Sequence, residues 1–157
     1  MQKITTFLTF DNQAEEAVDF YTSIFKNSKV NFKSYYKEGM YGPAGQMMIA
    51  SFDLEGQAFM ALNAGPSFKF EQGFSLYVDC ADQAEVDDLW DRLSAGGETQ
   101  MCGWLKDKFG VSWQIIPSVL GTLMQDPDPE KSGRVMQAML QMVKIDIATL
   151  QRAYDAA

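Results

Sequence analysis

Residues 102–117, CGWLKDKFGVSWQIIP, contain two short strand-like runs, each with a tryptophan, joined by a polar turn. Gly103 to Asp107 and Val111 to Ile116 flank Asp107-Lys108-Phe109-Gly110, with the glycine where a turn needs a positive φ, which predicts a β-hairpin. Alternation puts Val111, Trp113 and Ile115 on one face of the second run and Ser112, Gln114 and Ile116 on the other. Gln114 is then a polar group on a strand that reads as buried on at least one side.

The same grammar extends towards the N-terminus. KITTFLTF (3–10) alternates as a strand, and Asn12 with Glu15 three residues later reads as a capped helix start, followed by Ala14, Ala17, Val18, Tyr21, Ile24 and Phe25 at helical spacing. Runs near 29–37, 46–54 and 57–63 predict strands, the last two joined by a tight turn at Leu54-Glu55-Gly56. The order then recurs: FSLYVDC (74–80) reads as a strand, and Asp82-Gln83-Ala84-Glu85 opens a helix with Val86, Leu89, Trp90 and Leu93 on one face. Gly96-Gly97 ends it, and strands follow. Strand, helix and several antiparallel strands thus occur twice, which predicts an α+β chain built by duplication. After Pro117 the strand signals stop: 118–125 reads as a short helix, Pro127-Asp128-Pro129 as a break, and 130–155 as one or two helices with Asp146 as a cap.

At 157 residues, 46% apolar and 13% aromatic, the chain is long and apolar enough for one folded domain that buries roughly 70% of its unfolded surface. A net charge of −8 with no basic patch argues against nucleic acid and anionic membrane as partners, and no apolar run spans a bilayer. Cys80 and Cys102 stand outside any CxxC or zinc spacing, and MQKITTFL lacks the apolar core of a signal peptide, so the expectation is reduced thiols and a cytoplasmic location. There is no histidine, which removes Ser-His-Asp and Cys-His arrangements, an imidazole base and the commonest soft-metal ligand. Glu15-Glu16, Asp87-Asp88 and the acidic residues between Asp126 and Glu130 read as solvated helix faces and caps, and no pair of carboxylates is set for acid–base work.

The stretches FLTFDNQAEEAVDFYTSIF, FMALNAGPSFKF, CGWLKDKFGVSWQIIP and DPDPEKSGRVMQAMLQMVKIDIATL resemble the PhnB-like family, which carries the description 3-demethylubiquinone-9 3-methyltransferase and lies in the vicinal oxygen chelate superfamily with glyoxalase I and bleomycin-resistance proteins. The resemblance covers nearly the whole chain. It implies two βαβββ modules (1–66 and 73–117) in one domain, strands curled into a cup around a ligand cavity, a C-terminal helical tail (118–157), and a homodimer. The metal-ligand positions of the superfamily's enzymes would fall at Thr5 or Thr6, near Ala61, near Gly73 or Phe74, and at Gln114, and none of these is a carboxylate or an imidazole. Ser67 stands where many relatives carry histidine or glutamine. A nucleotide-like methyl donor would need a glycine-rich turn after a parallel strand, whereas Gly39, Gly42 and Gly45 lie in a loop and Gly96-Gly97 at a helix end.

The expectation is therefore a protein without metal or other cofactor that binds a small molecule, in a pocket lined by some of Thr5, Phe7, Thr9, Trp104, Trp113 and Gln114. Phe7 and Thr9 enter because alternation puts them on Thr5's face. Trp104 and Trp113 read equally as cavity walls or as core aromatics, and no residue is assigned a catalytic role. The rival readings are a metal-dependent lyase, isomerase or dioxygenase of the superfamily and a purely structural or interaction module. The loop 39–45, set among Tyr35, Tyr36, Met40, Tyr41, Met47 and Met48, reads as a lid or as a plain connection. In 130–155 the apolar set from Val135 to Tyr154 is too wide for one stripe, which predicts that the tail contributes to a two-fold interface.

Overall fold

The computed structural model describes residues 2–157. They form two compact units, one reaching to Lys69 and one beginning at Phe70. The first runs β1 (Thr6–Phe10), α1 (Ala14–Ile24), β2 (Lys29–Tyr35), β3 (Met47–Leu54) and β4 (Gln57–Asn63). Its sheet has the order β1-β4-β3-β2, with β1 parallel to β4 and the other pairs antiparallel. Leu8, Phe10, Ala50, Phe52, Phe59 and Ala61 alternate onto the side facing α1, whose own buried stripe is Ala14, Ala17, Val18, Tyr21 and Ile24. Each large side chain buried there contributes about 1.5–3 kcal/mol. The β3–β4 turn is carried by Glu55 and Gly56 at φ 47° and 78°, both left-handed, as a two-residue hairpin turn of this hand requires.

The start of α1 differs from expectation. Asn12 is not the cap. The residue before the helix is Gln13, which makes no side-chain cap bond, and the Ala14 N–H instead donates to Asn63 Oδ1 at 2.9 Å. Asn63 Nδ2 donates in turn to the Met47 carbonyl at 2.9 Å, so one buried amide closes a helix end and a strand end together.

The second unit runs β5 (Leu76–Cys80), α2 (Gln83–Ser94), β6 (Glu98–Thr99), β7 (Trp104–Lys106) and β8 (Ser112–Pro117), with sheet order β5-β8-β7-β6 and β5 parallel to β8. Here the local signal holds: Asp82 Oδ1 accepts the Glu85 N–H at 2.9 Å, and Glu85 Oε2 accepts the Ala81 N–H at 2.6 Å. The predicted hairpin is present, with Gly110 at φ 93°. Its turn is held by Asp107, which is 2% exposed: Oδ1 accepts the Phe109 and Val111 N–H groups and Oδ2 the Trp113 indole N–H. Both units repeat the order βαβββ, which makes the chain α+β.

The tail forms α3 (Ser118–Met124), α4 (Pro129–Leu140) and α5 (Ile147–Asp155), and Asp146 caps the last of these through the Thr149 N–H. Leu120, Leu123, Val135, Ile145 and Leu150 make a core with Ile116 of β8. Ile116 shares the face of Ser112 and Gln114, so the tail covers one end of the sheet side turned away from α2. Gln83 ties the tail to α2 by accepting the Ile147 N–H at 2.8 Å and donating to the Ile145 carbonyl at 3.0 Å. The wide apolar set thus divides. Val135, Ile145 and Leu150 are buried and Met139, Met142 and Tyr154 border them, while Met136, Leu140 and Val143 remain exposed.

Candidate functional site

Strand register in the second unit aligns Tyr77 with Gln114 and Gln114 with Trp104, giving an aromatic–amide–aromatic row across β5, β8 and β7. Gln114 and Trp104 are half-buried, and Tyr77 is exposed. Gln114 Nε2 donates to Ser75 Oγ at 3.0 Å, and its Oε1 has no hydrogen-bond partner among the described residues. Two residues back on the same face, the Ser112 hydroxyl is 2% exposed and also lacks a partner. Partial desolvation by its neighbours, and secondarily the charge of Asp79, pushes the Tyr77 phenol above its ordinary value even though much of the ring is exposed. The row therefore offers two ring surfaces, an amide oxygen and a hydroxyl.

Trp113 lies on the other face of β8. It is 2% exposed among core residues that include Leu105 and Ile115, with its indole N–H held by Asp107. In the first unit Phe7 and Thr9 share the sheet face turned away from α1, where Phe7 pairs with Met60 and Thr9 with Leu62, while Thr5 falls just before β1, which starts at Thr6 rather than at Lys3 as the alternation predicted. Thr5 and Thr9 are half-buried, and Phe7 is exposed. Of the six predicted residues, the structure thus groups Phe7 and Thr9 on one sheet face and Trp104 with Gln114 on another, leaves Thr5 ahead of β1, and sets Trp113 in the core.

The positions at which the superfamily would hold a metal do not fit one. Thr5 and Thr6 offer hydroxyls, Ala61 is fully buried on the α1 side of its sheet, Gly73 and Phe74 lie ahead of β5, and Gln114 is an amide. A divalent ion needs several charged or imidazole donors, and among the described residues no three His, Cys, Asp or Glu side chains come together to supply them.

The sequence placed Asp107 in the turn without marking its carboxylate as a buried anchor, passed over Asn63, and left the 39–45 loop open. The loop is pinned at its base: Tyr36 N–H donates to the Gln46 carbonyl and Gly45 N–H to the Tyr36 carbonyl, each at 2.9 Å, while the buried Tyr36 hydroxyl donates to the Asn63 carbonyl at 2.6 Å. The signal for this lay in the glycines, since Gly45 adopts φ 88° and a Cβ on Gly42 would overlap the Tyr36 ring.

Comparison with known proteins agrees with this architecture. The family model described as 3-demethylubiquinone-9 3-methyltransferase matches residues 2–116. A PhnB protein of Bacillus cereus, described as a 3-demethylubiquinone-9 3-methyltransferase, is 41% identical over 74% of this chain and 99% of its own, with a TM-score of 0.70. A Pseudomonas aeruginosa protein is 23% identical over 74% of this chain and 98% of its own, at TM-score 0.59. The fosfomycin resistance protein FosX of Listeria monocytogenes, solved with Mn(II) and sulfate, is 18% identical over 72% of this chain and 90% of its own, at TM-score 0.53. At such identities the last two speak for the fold alone. No curated protein matches the chain.

Proposed function

We propose that this chain, which belongs to the 3-demethylubiquinone-9 3-methyltransferase (PhnB-like) family and has the glyoxalase and bleomycin-resistance fold, binds a small organic molecule and holds it without a metal ion. The observation that carries this reading is the open Gln114 Oε1, half-buried at the centre of the row that runs across β5, β8 and β7. A bound donor on that oxygen would contribute about 0.5–1.5 kcal/mol net. The flanking rings of Tyr77 and Trp104 favour a flat, partly apolar ligand with donor groups on its edge.

The fold accommodates Mn(II) in the Listeria protein, but the amide and hydroxyl donors of this chain do not suit such an ion. Methyl transfer from a nucleotide-like donor also lacks its cradle, because β1 is followed by Asp11-Asn12-Gln13 and β5 by Ala81-Asp82-Gln83, with no glycine in either turn. The reading includes a homodimer, supported by Met136 and Leu140 one turn apart on α4 and by Val143, all exposed. It places the chain in the cytoplasm, supported by free thiols at Cys80 and Cys102. Nucleic acid and membranes are not expected partners given the net charge of −8, and no helix among the described residues is long and apolar enough to cross a membrane.

A ligand-observed NMR screen of flat aromatic amide and acid fragments in EDTA tests this. The expected result is a set of hits whose affinity falls about tenfold in Gln114→Leu. Hits that bind Gln114→Leu and Trp104→Ala as well as they bind the parent chain would reject the site.

A further inference from the structure

A second concave site lies within the first unit, under the 36–46 loop. It is an open pocket of about 420 Å³ where the ends of β1 and β4 meet that loop. Part of its wall is already engaged: Tyr36 hydroxyl donates to the Asn63 carbonyl, and both ends of the Asn63 amide are used by Ala14 and Met47. Gly42 lies so close to the Tyr36 ring that no side chain fits between them, and Gly65 adopts φ 89°, where a Cβ would touch the Tyr41 hydroxyl. Four lining groups remain without a partner among the described residues: the Asp11 carboxylate, the Asn12 and Gln46 amides, and the Tyr41 hydroxyl.

We propose that this pocket binds a small organic ammonium ion bearing hydroxyl or N–H donors. The open groups comprise one carboxylate, two amide oxygens and a phenol, which accept hydrogen bonds from such a cation, and the exposed ring of Tyr41 adds aromatic surface that attracts positive charge. An anion is disfavoured. Among the described residues no lysine or arginine lines the pocket, and the first N–H of α1, which would otherwise draw a negative group, is taken by Asn63. The chain's net charge of −8 acts in the same direction.

The test uses the full chain, uniformly 15N-labelled, titrated at pH 7 with ethanolamine hydrochloride and, at matched ionic strength, with sodium phosphate. Ethanolamine is expected to shift the amide signals of Gly42, Gly65 and Gln46 saturably while those of Trp104 and Gln114 stay in place, and phosphate is expected to shift neither set. Asp11→Asn should weaken the binding roughly fivefold, whereas Asp91→Asn, an exposed acidic residue on α2, should leave it unchanged. Gly42→Ala should remove the shifts with the rest of the spectrum retained, because its methyl group displaces the loop from Tyr36. The proposal is overturned by the absence of saturable shifts at the loop, by equal shifts with phosphate, or by equal weakening in Asp91→Asn.

Discussion

Asp107 and Trp113 are joined by a 2.9 Å hydrogen bond from the indole N–H to Oδ2, inside the hairpin that their own segment forms. The other carboxylate oxygen holds the Phe109 and Val111 N–H groups at 2.9 and 3.0 Å, so one buried anion fixes both the turn and the tryptophan that anchors β8 in the core. Asp107→Asn keeps the shape but replaces one acceptor oxygen with a donor that faces N–H groups. The expected loss is about 2–4 kcal/mol, read from the urea unfolding midpoint at constant slope. A change below about 0.5 kcal/mol would show that the carboxylate is not the knot described.

Asn63 and Asn12 give a paired test of how α1 begins. Asn63→Ala leaves the Ala14 N–H and the Met47 carbonyl without partners and is expected to cost about 2–3 kcal/mol. Asn12→Ala, by contrast, is expected to change stability by less than about 0.5 kcal/mol. The reverse order in thermal or urea unfolding would restore the cap to Asn12.

The contrast between these two residues shows what the sequence can and cannot reveal. Asp82 and Glu85 act across three residues, so the start of α2 was readable locally, as was the 107–110 turn from Gly110 and the alternation around it. Asn63 reaches a helix 49 positions away, and no local pattern announces such a partner. Alternation separates Trp113 from Gln114, but only the position of α2 decides which side is core. The tail's helices and its Asp146 cap were legible, whereas its core depends on Ile116, a strand residue whose partners come from three later helices.

Cys80 supplies a pH test. It is fully buried, and desolvation first, then the charge of Glu85, pushes its thiol from 9.0 up to about 12. The native state therefore keeps a proton that the unfolded chain releases above pH 9, so this group's contribution to stability falls as pH rises through that window. Unfolding free energies of the parent and Cys80→Ala should converge by about 1.4 kcal/mol per pH unit between roughly pH 9 and 11. Parallel curves across that range would mean that the native thiol titrates normally.

Met136 and Leu140 test assembly without disturbing the tail's core, because both are exposed while Val135 beside them is buried. Sedimentation equilibrium at micromolar concentration is expected to give twice the monomer mass for the parent chain and the monomer mass for Met136→Lys/Leu140→Lys. A parent chain that sediments as a monomer, or a dimer indifferent to both charges, would remove α4 from the interface.

The central claim is that the Tyr77–Gln114–Trp104 row serves a ligand without a metal ion, and Mn(II) titration of the 15N-labelled chain addresses it most directly. A bound paramagnetic ion broadens nearby signals long before distant ones. The account predicts that the Gln114 side-chain amide and the Trp104 indole N–H keep their intensity at stoichiometric Mn(II), with any broadening confined to the acidic surface. Selective loss of those two signals at substoichiometric Mn(II) would contradict it and assign the face to metal chemistry.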